Sequence, residues 1–316
     1  MLFAVGQVGD AAGGTARPEG RGSGGNITAL DYNLPPMQRG RATDEVWDRT
    51  RLADPHGQPD KAARVRAMFD EIAPTYELVN RVLSAGRDAY WRRTAVRLAG
   101  VKPSDRVLDV ACGTGDFARA FGRASPALVV GCDFSERMLA LAATASRALP
   151  GIGDARGCGG GGTAQPKARG SESRAPQRRF AWCRGDALAL PFADESFTTV
   201  SCAFGVRNLQ DLSRGFREAF RVLKPGGRAV ILEFAPPQAT LLGRWYRFYF
   251  RRILPRLATW ISRDRSGAYQ YLPSSVLSFA KAEDMIALLR AAGFGRVDHR
   301  RLTMGIVAVF IAWKDA

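Results

Sequence analysis

The stretch that decides the fold is Val107-Leu-Asp-Val-Ala-Cys-Gly-Thr-Gly-Asp116. Its first half reads as a short apolar strand, and its second half as a glycine-rich turn that leads into a helix from Asp116. Small residues in such a turn let backbone N–H groups and the helix N-terminus approach a ligand closely. The glycine spacing also fits the dinucleotide-binding fingerprint, and Asp133 ends the next predicted strand, where a carboxylate accepts hydrogen bonds from ribose hydroxyls. The stretch therefore predicts a nucleoside site.

A second glycine-containing turn, Gly185-Asp-Ala-Leu-Ala-Leu-Pro-Phe192, follows a later predicted strand. The Asp186 carboxylate can accept a hydrogen bond from the exocyclic amino group of an adenine, with the Ala187 backbone beside it. A capped turn without a ligand is the alternative interpretation. The two turns together leave the type of nucleoside open, and NAD is one candidate.

Short apolar strands alternate with amphipathic helices along most of the chain. The pattern predicts seven strands, at residues 106–111, 128–133, 179–184, 198–204, 228–234, 296–302 and 306–313. It predicts helices at 62–73, 75–83 and 90–98, from 116, from 135, and at 211–223, 241–261 and 282–292. This alternation indicates an α/β fold with a mostly parallel sheet covered by helices. The last two strands predict an antiparallel C-terminal hairpin.

Two segments lack this periodicity. Residues 1–60 are rich in Gly, Pro, Asp and Arg, and residues 151–179 contain a run of glycines followed by Gln, Pro, Lys, Ser and Arg. Such sequences bury too little apolar surface to offset the entropy lost on ordering. We therefore expect a disordered extension at 1–60, and one domain at 61–316 that carries a low-complexity insertion at 151–179.

The composition excludes several classes of protein. No apolar run reaches the roughly 18 residues that an integral membrane span requires. The N-terminus lacks the basic start and apolar core of a signal peptide, so we expect a cytoplasmic protein. Five cysteines without a C-x-x-C pair, together with only two histidines, do not form a metal-ligand cluster, so we expect no metal.

The formal charge of +16 suggests nucleic acid or an anionic membrane as a partner. The excess is local, because residues 241–265 contain seven Arg and one Asp. The predicted helix at 241–261 interleaves these arginines with Trp245, Tyr249 and Trp260, as in helices that lie in a bilayer interface. Packing over the sheet with snorkelling arginines is the alternative. A basic nucleic-acid-binding protein, including an RNA methyltransferase, is a hypothesis from a different class.

Four motifs in order resemble the class I S-adenosylmethionine-dependent methyltransferases. They are Val107–Phe117, Gly131–Met138, Gly185–Phe192 and Arg221–Arg228. More narrowly, the chain is similar to the MenG/UbiE branch, the quinone-ring C-methyltransferases of menaquinone and ubiquinone synthesis. The motifs of that branch are Phe204-Gly-Val-Arg-Asn208, Leu232-Glu-Phe234, Tyr269-x-Tyr-Leu-Pro-x-Ser275 and Tyr76-x-x-x-Asn80. The similarity covers about residues 62–316 apart from the insertion.

This resemblance implies a Rossmann-like fold, S-adenosylmethionine as co-substrate, and a polyprenylated quinol as acceptor. The leading acceptor is demethylmenaquinol, and the benzoquinol of ubiquinone synthesis, a 2-methoxy-6-polyprenyl-1,4-benzoquinol, is the alternative. By matching motif, the residues that bind the donor are Gly113, Thr114, Gly115, Asp133, Asp186 and Ala187. An acceptor with a prenyl tail also implies peripheral contact with the membrane.

The chain departs from the family at two places. Ala203 stands where the family has a serine before its Phe-Gly, so a side-chain hydrogen bond is lost. Arg87-Asp88-Ala89 stands where the family usually carries a His-Arg pair. These departures keep open a protein that binds the donor without catalysing a reaction.

Arg207 is the catalytic candidate, because methylation of a quinol ring requires a phenolic proton to leave. Its guanidinium can stabilise the phenolate oxygen or a water that takes the proton, and a structural ion pair is the alternative. Tyr76, Asn80 and Asn208 are secondary candidates for contact with the acceptor. Neither histidine is a strong candidate for the base, since His56 falls in the predicted extension and His299 on a late strand.

Overall fold

The first predicted strand, β1 (Arg106–Val110), lies inside an eight-stranded sheet in the computed structural model. Four of its five side chains are buried, as expected for a strand covered by helices on both faces. The structure describes residues 46–84, 86–147, 152–154, 178–236, 244, 248–254, 256 and 267–316. These residues belong to one compact unit of the chain, residues 37–316.

The other strands are β2 (Leu128–Asp133), β3 (Ile152–Asp154), β4 (Arg178–Arg184), β5 (Phe197–Ala203), β6 (Leu223–Phe234), β7 (Arg296–Leu302) and β8 (Val307–Trp313). Their spatial order is β3-β4-β2-β1-β5-β6-β8-β7. Neighbours pair in parallel from β3 to β6, whereas β8 is antiparallel to both β6 and β7. The predicted mostly parallel sheet with an antiparallel C-terminal hairpin is confirmed.

The sheet has one strand more than the seven predicted. Residues 152–154, within the predicted insertion, form β3 and pair in parallel with residues 178–180 at the edge of the sheet. So short a strand carries almost no periodic signal, which is why the sequence pattern missed it. Residues 151 and 155–177 of the insertion lie outside the described part of the chain.

Helices cover both faces of the sheet. They are α1 (Arg49–Ala53), α2 (Lys61–Ile72), α3 (Tyr76–Leu83), α4 (Arg87–Ala99), α5 (Asp116–Gly122), α6 (Glu136–Arg147), α7 (Leu212–Val222), α8 (Ala268–Leu277) and α9 (Ala282–Ala291). Alternate residues of β1 point into different clusters: Val107 packs with Phe117 and Phe121 of α5, and Leu108 belongs to the cluster that contains Met285 and Leu289 of α9. The core therefore consists of two apolar layers, one on each side of the sheet.

The predicted disordered extension is wrong for residues 46–60. Trp47 is fully buried and stacks on Tyr271 of α8 with 4.3 Å between ring centroids. It joins Val65, Met68 and other apolar residues in a separate cluster beside the main core. Burial of this large aromatic side chain contributes to offsetting the entropy cost of ordering the segment. Residues 1–45 lie outside the described residues, so the expectation for them stays a prediction.

The basic helix predicted at 241–261 falls mostly outside the described residues. Within it the structure describes Arg244, Tyr249–Ile253 as one π-helical turn, and three single residues around that turn. Leu254 is buried against Val276 of α8, whereas Phe248 and Ile253 are exposed. Among the described helices, none is long and apolar enough to cross a membrane.

Candidate active site

The glycine turn after β1 faces a cavity at the carboxyl ends of the parallel strands, which we call the glycine-turn cavity. It is bounded by Gly113, by Asp133 at the end of β2, by Gly185, Asp186 and Ala187 after β4, and by Ala203 and Phe204 after β5. The sheet order reverses between β1 and β5, since later strands add outward on both sides. A crevice at such a reversal is where open α/β sheets bind their ligands.

Gly113 and Gly115 have left-handed backbones, with φ of 54° and 82°. A Cβ atom on Gly115 would lie 2.6 Å from the Trp182 ring, so this glycine is required for packing. A Cβ atom on Gly113 would meet nothing within 4 Å, so open space lies over that residue. The turn therefore presents backbone to the cavity at Gly113 and to the protein core at Gly115.

Asp133 holds the glycine turn in place. One carboxylate oxygen accepts the Gly113 N–H at 2.8 Å, and the other accepts the Ser135 N–H at 2.9 Å. The side chain is almost fully buried, and this desolvation raises the pKa of Asp133 above its usual value although the backbone donors oppose the shift. Each oxygen retains a lone pair toward the cavity, so Asp133 can still accept hydrogen bonds from a ligand.

Four of the six predicted donor-binding residues line this cavity: Gly113, Asp133, Asp186 and Ala187. Asp186 is exposed, and its Oδ1 caps its own turn by accepting the Leu188 N–H at 2.9 Å. The other two, Thr114 and Gly115, are not among the residues that line the cavity. Thr114 is buried, and its carbonyl accepts a hydrogen bond from Arg119 at 2.6 Å.

Two residues without special sequence signals also have left-handed backbones at the cavity: Ala111 with φ 51° after β1, and Phe204 with φ 58° after β5. These are the neighbouring strands on either side of the sheet reversal. The two backbone segments lie very close together there, since a Cβ atom on Gly205 would lie 2.8 Å from that of Ala111. Strained backbone of this kind clusters at functional sites, and single-sequence patterns do not reveal it at alanine or phenylalanine.

A second cavity of about 270 Å³ lies next to the first, and we call it the aromatic cavity. Phe69, Tyr76 and Phe204 line both cavities. The rest of the wall comes from α2, α3, α4 and α8, from the ends of β5, β6 and β7, and from Tyr249 and Leu254 of segment 241–261. It includes Asn80, Trp91, Phe234, Tyr269 and Tyr271. The two cavities therefore share part of their walls.

Arg207 is in the wall of the aromatic cavity, in a 3-10 turn at Val206–Asn208. Its Nη1 donates to Glu233 at 2.8 Å and to the Phe204 carbonyl at 2.5 Å, and its guanidinium lies 5.6 Å from the centre of the Phe234 ring. Both charged side chains are buried, and the charge of Glu233 helps raise the pKa of Arg207 although burial acts against it. Arg207 therefore forms a buried ion pair and also lines the aromatic cavity, so the structural and the catalytic interpretations of this residue are compatible.

The secondary candidates divide between the two cavities. Asn80 lines the aromatic cavity and Tyr76 lines both, and burial raises the pKa of the Tyr76 phenol. Asn208 lines the glycine-turn cavity and accepts a hydrogen bond from the Tyr271 hydroxyl at 3.1 Å. The sequence therefore located these residues near the site without specifying which cavity each one faces.

Lys61 holds the turn that carries Arg207 by hydrogen bonds to its backbone. Sequence reasoning did not single out this residue. The buried Lys61 ammonium donates to the carbonyls of Arg207 at 2.9 Å and Leu209 at 2.6 Å, and it lies 3.2 Å from Nδ1 of His56. Burial lowers the pKa of Lys61 to about 8, which still leaves it protonated at neutral pH. Since an ammonium only donates, Nδ1 of His56 accepts and its Nε2 donates to the Ser275 carbonyl at 3.0 Å.

Neither histidine lines either cavity. His56 belongs to the Lys61 contact, and His299 stacks on Phe310 of β8 with 4.8 Å between ring centroids. Among the residues that the structure describes, no group of three or more His, Cys, Asp or Glu side chains is placed to hold a metal ion.

Comparison with known proteins gives the family. The model of the ubiE/COQ5 methyltransferase family matches residues 58–150 and 164–314. The chain belongs to the ubiE/COQ5 methyltransferase family. The unmatched residues 151–163 fall inside the predicted insertion, and the match includes both glycine turns and the Arg207 turn. This membership makes the protein a methyltransferase, and the fold and family support S-adenosylmethionine as its co-substrate.

Relatives of this ubiE/COQ5 protein cover most of the chain. The demethylmenaquinone methyltransferase of Deinococcus radiodurans is 43% identical over 81% of this chain and 94% of its own length. The ubiquinone/menaquinone biosynthesis C-methyltransferase UbiE of Geobacter sulfurreducens is 42% identical over 81% of this chain and 90% of its own. A solved S-adenosylmethionine-dependent methyltransferase of Thermotoga maritima shares the fold, with a TM-score of 0.51, 19% identity, and coverage of 79% of this chain and 99% of that one.

Proposed function

We propose that the protein transfers a methyl group from S-adenosylmethionine to a ring carbon of a polyprenylated quinol. The observation that carries the proposal is the contact between the two cavities through Phe69, Tyr76 and Phe204. A donor on the glycine turn and a flat aromatic acceptor in the aromatic cavity would meet at these shared rings. The names of the relatives from Deinococcus and Geobacter support a quinone-type acceptor.

The glycine-turn cavity fits a donor that contains adenosine. Open space over Gly113 leaves its backbone accessible, and Asp133 keeps acceptor capacity where ribose hydroxyls would lie. Asp186 and Ala187 would contact the adenine, and Ala203 would contribute a backbone contact at most. S-adenosylmethionine supplies an electrophilic methyl group that is displaced in line. The chain's own task is to position the two reactants and to exclude water from between them.

The aromatic cavity fits a quinol ring better than it fits a charged substrate. Aromatic and aliphatic side chains form most of its wall, and the charged side chains of Asp88 and Arg207 are each held in an ion pair. Arg207, held by Glu233 and by the Phe204 carbonyl, would face the ring oxygen on which negative charge develops. A guanidinium that is already oriented stabilises that charge without reorganisation during the reaction.

Demethylmenaquinol is the acceptor we favour, because the Deinococcus relative is named for that reaction. The 2-methoxy-6-polyprenyl-1,4-benzoquinol of ubiquinone synthesis is the second candidate, because the Geobacter relative is named for both pathways. Purified enzyme with labelled donor and each quinol in detergent separates them. We expect label in the naphthoquinol. Label in a small soluble phenol but in neither quinol would show that the acceptor class is wrong.

Peripheral contact with an anionic membrane forms part of the proposal. The described residues of segment 241–261 include exposed Arg244, Arg252 and Arg256 beside exposed Phe248 and Ile253. Basic and aromatic side chains together favour the interface of an anionic bilayer, where an acceptor with a prenyl tail would be held.

A further inference from the structure

Asp88, at the start of α4, is a carboxylate in the wall of the aromatic cavity. All other described residues that line this cavity are aromatic, aliphatic, neutral polar or arginine. A quinol must lose a hydroxyl proton to become nucleophilic at carbon, so the reaction needs an acceptor for that proton. A carboxylate in contact with the substrate cavity meets this need.

Asp88 is held in one orientation by two neighbours that also line the cavity. Its Oδ1 accepts from the Ser84 hydroxyl at 3.1 Å, and its Oδ2 accepts from Nη1 of Arg92 at 2.6 Å. The side chain is 15% exposed and that of Arg92 is 9% exposed. An ionised carboxylate has about four acceptor sites, so these two hydrogen bonds leave room for a substrate hydroxyl.

Arg92 links Asp88 to the wall that the two cavities share. The guanidinium carbon of Arg92 lies 5.6 Å from the centre of the Phe204 ring, and Phe204 borders both cavities. The second nitrogen of the guanidinium lies 3.6 Å from Asp116 of α5, which fixes its plane. The Arg92 guanidinium therefore contacts Asp88 on one side and lies near the ring where donor and acceptor would meet on the other.

Two buried ion pairs flank one aromatic cluster in this cavity. Trp91 packs edge-on against Phe204 and Phe234, the Arg92–Asp88 pair lies beside Phe204, and the Arg207–Glu233 pair lies beside Phe234. A quinol hydroxyl placed at this cluster could lose its proton to Asp88 while the resulting negative charge on the same oxygen faces Arg207. Both members of the Arg92–Asp88 pair line the cavity, whereas Arg207 is the member of the second pair that does so.

Glu233 is not available as a proton acceptor. It is 1% exposed, it does not line the aromatic cavity, and its oxygens accept from the Arg207 side chain, the Arg207 N–H and the Phe234 N–H. Of the four phenols in the wall, Tyr76, Tyr249 and Tyr271 are also unsuited, because burial raises the pKa of each. The nearby arginines Arg87, Arg92 and Arg207 are already protonated.

We propose that Asp88 is the base that takes the proton of the ring hydroxyl next to the carbon that is methylated, an inference that rests on the proposed function. The O–H bond breaks as its proton passes to the Asp88 carboxylate, and the freed electron pair drives attack of the adjacent ring carbon on the methyl group. The carbon–carbon bond forms while the sulfur–methyl bond breaks and its electrons return to sulfur. The methylated carbon then loses its own proton to water, and the ring oxygen recovers a proton from Asp88.

Asp88→Asn tests this role against a control that also removes the charge of an Asp–Arg pair. Asp298 and Arg296 form such a pair with a 2.5 Å contact, but both side chains are exposed on β7. We expect Asp88→Asn to lower kcat on the quinol by about 100-fold or more, the usual contribution of a general base. Donor binding measured by calorimetry should stay unchanged, and Asp298→Asn should leave both quantities near wild type.

A second measurement separates proton transfer from mere positioning. An acceptor with an electron-withdrawing ring substituent has a more acidic hydroxyl and depends less on a base, so the deficit of Asp88→Asn should shrink at least about tenfold on it. An equal deficit on both acceptors, or a kcat within about threefold of wild type, would overturn the inference. If Asp88→Asn does not fold, Asp88→Glu is used in its place. Its displaced carboxylate should make kcat depend more steeply on the acidity of the acceptor than in the wild type. The same dependence in both proteins would refute the role. If the wild-type enzyme methylates no quinol, the proposed function fails instead.

Discussion

At the scale of single residues, Asp133 has a structural task that the sequence did not suggest. It is the acidic residue expected at the end of β2, and it also bonds the backbone of the glycine turn twenty residues earlier. The same carboxylate therefore shapes the turn and lines the glycine-turn cavity. A change at Asp133 should affect binding through both routes.

We predict that Asp133→Ala weakens S-adenosylmethionine binding by about 1.5–3 kcal/mol, the value of hydrogen bonds to a charged acceptor. The substitution also leaves the Gly113 N–H without its partner, which loosens the turn. Calorimetric titration measures the change, with Asp194→Asn, an exposed carboxylate 73% open to solvent, as the matched control. An unchanged affinity, or tighter binding of NAD than of S-adenosylmethionine by the wild type, would contradict the assignment of this site.

Residue types and short spacings predicted residues that the structure brings to one cavity. Gly113, Asp133, Asp186 and Ala187 belong to contiguous motifs whose strand–turn–helix context can be read locally. The acceptor side depends on pairs far apart in sequence, such as Lys61 with the Arg207 carbonyl, 146 residues away. Periodicity does not encode such pairs, so Lys61 and the role of Arg92 beside Phe204 could not be found from the sequence.

At the scale of elements, residues 46–61, which we call the clasp, connect α8 to the Arg207 turn beside the aromatic cavity. Trp47 anchors it on α8, and His56 and Lys61 connect it to α8 and to the Arg207 turn. The composition of residues 1–60 hid this segment, because its few apolar residues are dispersed among glycines and charges. α8 was missed for a related reason, since Pro273 lies inside it and breaks the usual helical signal.

The clasp should respond to acid through His56. Burial, reinforced by the adjacent Lys61 charge, lowers the pKa of His56 below 6.5 in the folded protein. The unfolded chain therefore binds the proton first as the pH falls, and the folded state loses stability in that range. Protonation would also place a second N–H donor against the Lys61 ammonium.

We predict that His56→Gln removes this part of the pH dependence. The free energy of unfolding of the wild type should fall relative to that of the variant as the pH drops from about 7 to about 5, the range where histidine titrates. Urea unfolding at a series of pH values measures the difference. A difference between the two proteins that stays constant across this range would show that His56 does not couple the clasp to pH.

The basic segment 241–261 gives a prediction for membrane contact. Replacing Arg247, Arg251 and Arg252 by Glu should release the protein from anionic vesicles, because each basic side chain near such a surface contributes on the order of 1 kcal/mol. Turnover on a water-soluble acceptor should be spared. Sedimentation with vesicles measures membrane binding, and a detergent-free assay measures turnover on the water-soluble acceptor. Continued sedimentation of the variant, or loss of donor binding, would indicate that the segment packs on the fold and does not bind the bilayer.

At the scale of the whole molecule, the sheet explains why the two cavities adjoin. β1, β2, β4 and β5 end on the donor side, and the ends of β5 and β6 continue into Phe204 and Phe234 on the acceptor side. The α/β alternation and strand order were predictable because each element carries its own periodic signal. The layer that closes the aromatic cavity, built from α2, α3, α4 and α8, is specified by tertiary packing instead.

The position of the transferred methyl group tests the central claim most directly. The enzyme is supplied with S-adenosylmethionine carrying a ¹³C-labelled methyl group and with demethylmenaquinol in detergent, and the product is analysed by NMR. A donor and a quinol ring that meet across Phe69, Tyr76 and Phe204 should give a product with the labelled methyl on a ring carbon and both hydroxyls free. A labelled methyl ether on oxygen, or no transfer to any quinol by enzyme that binds the donor, would contradict this account.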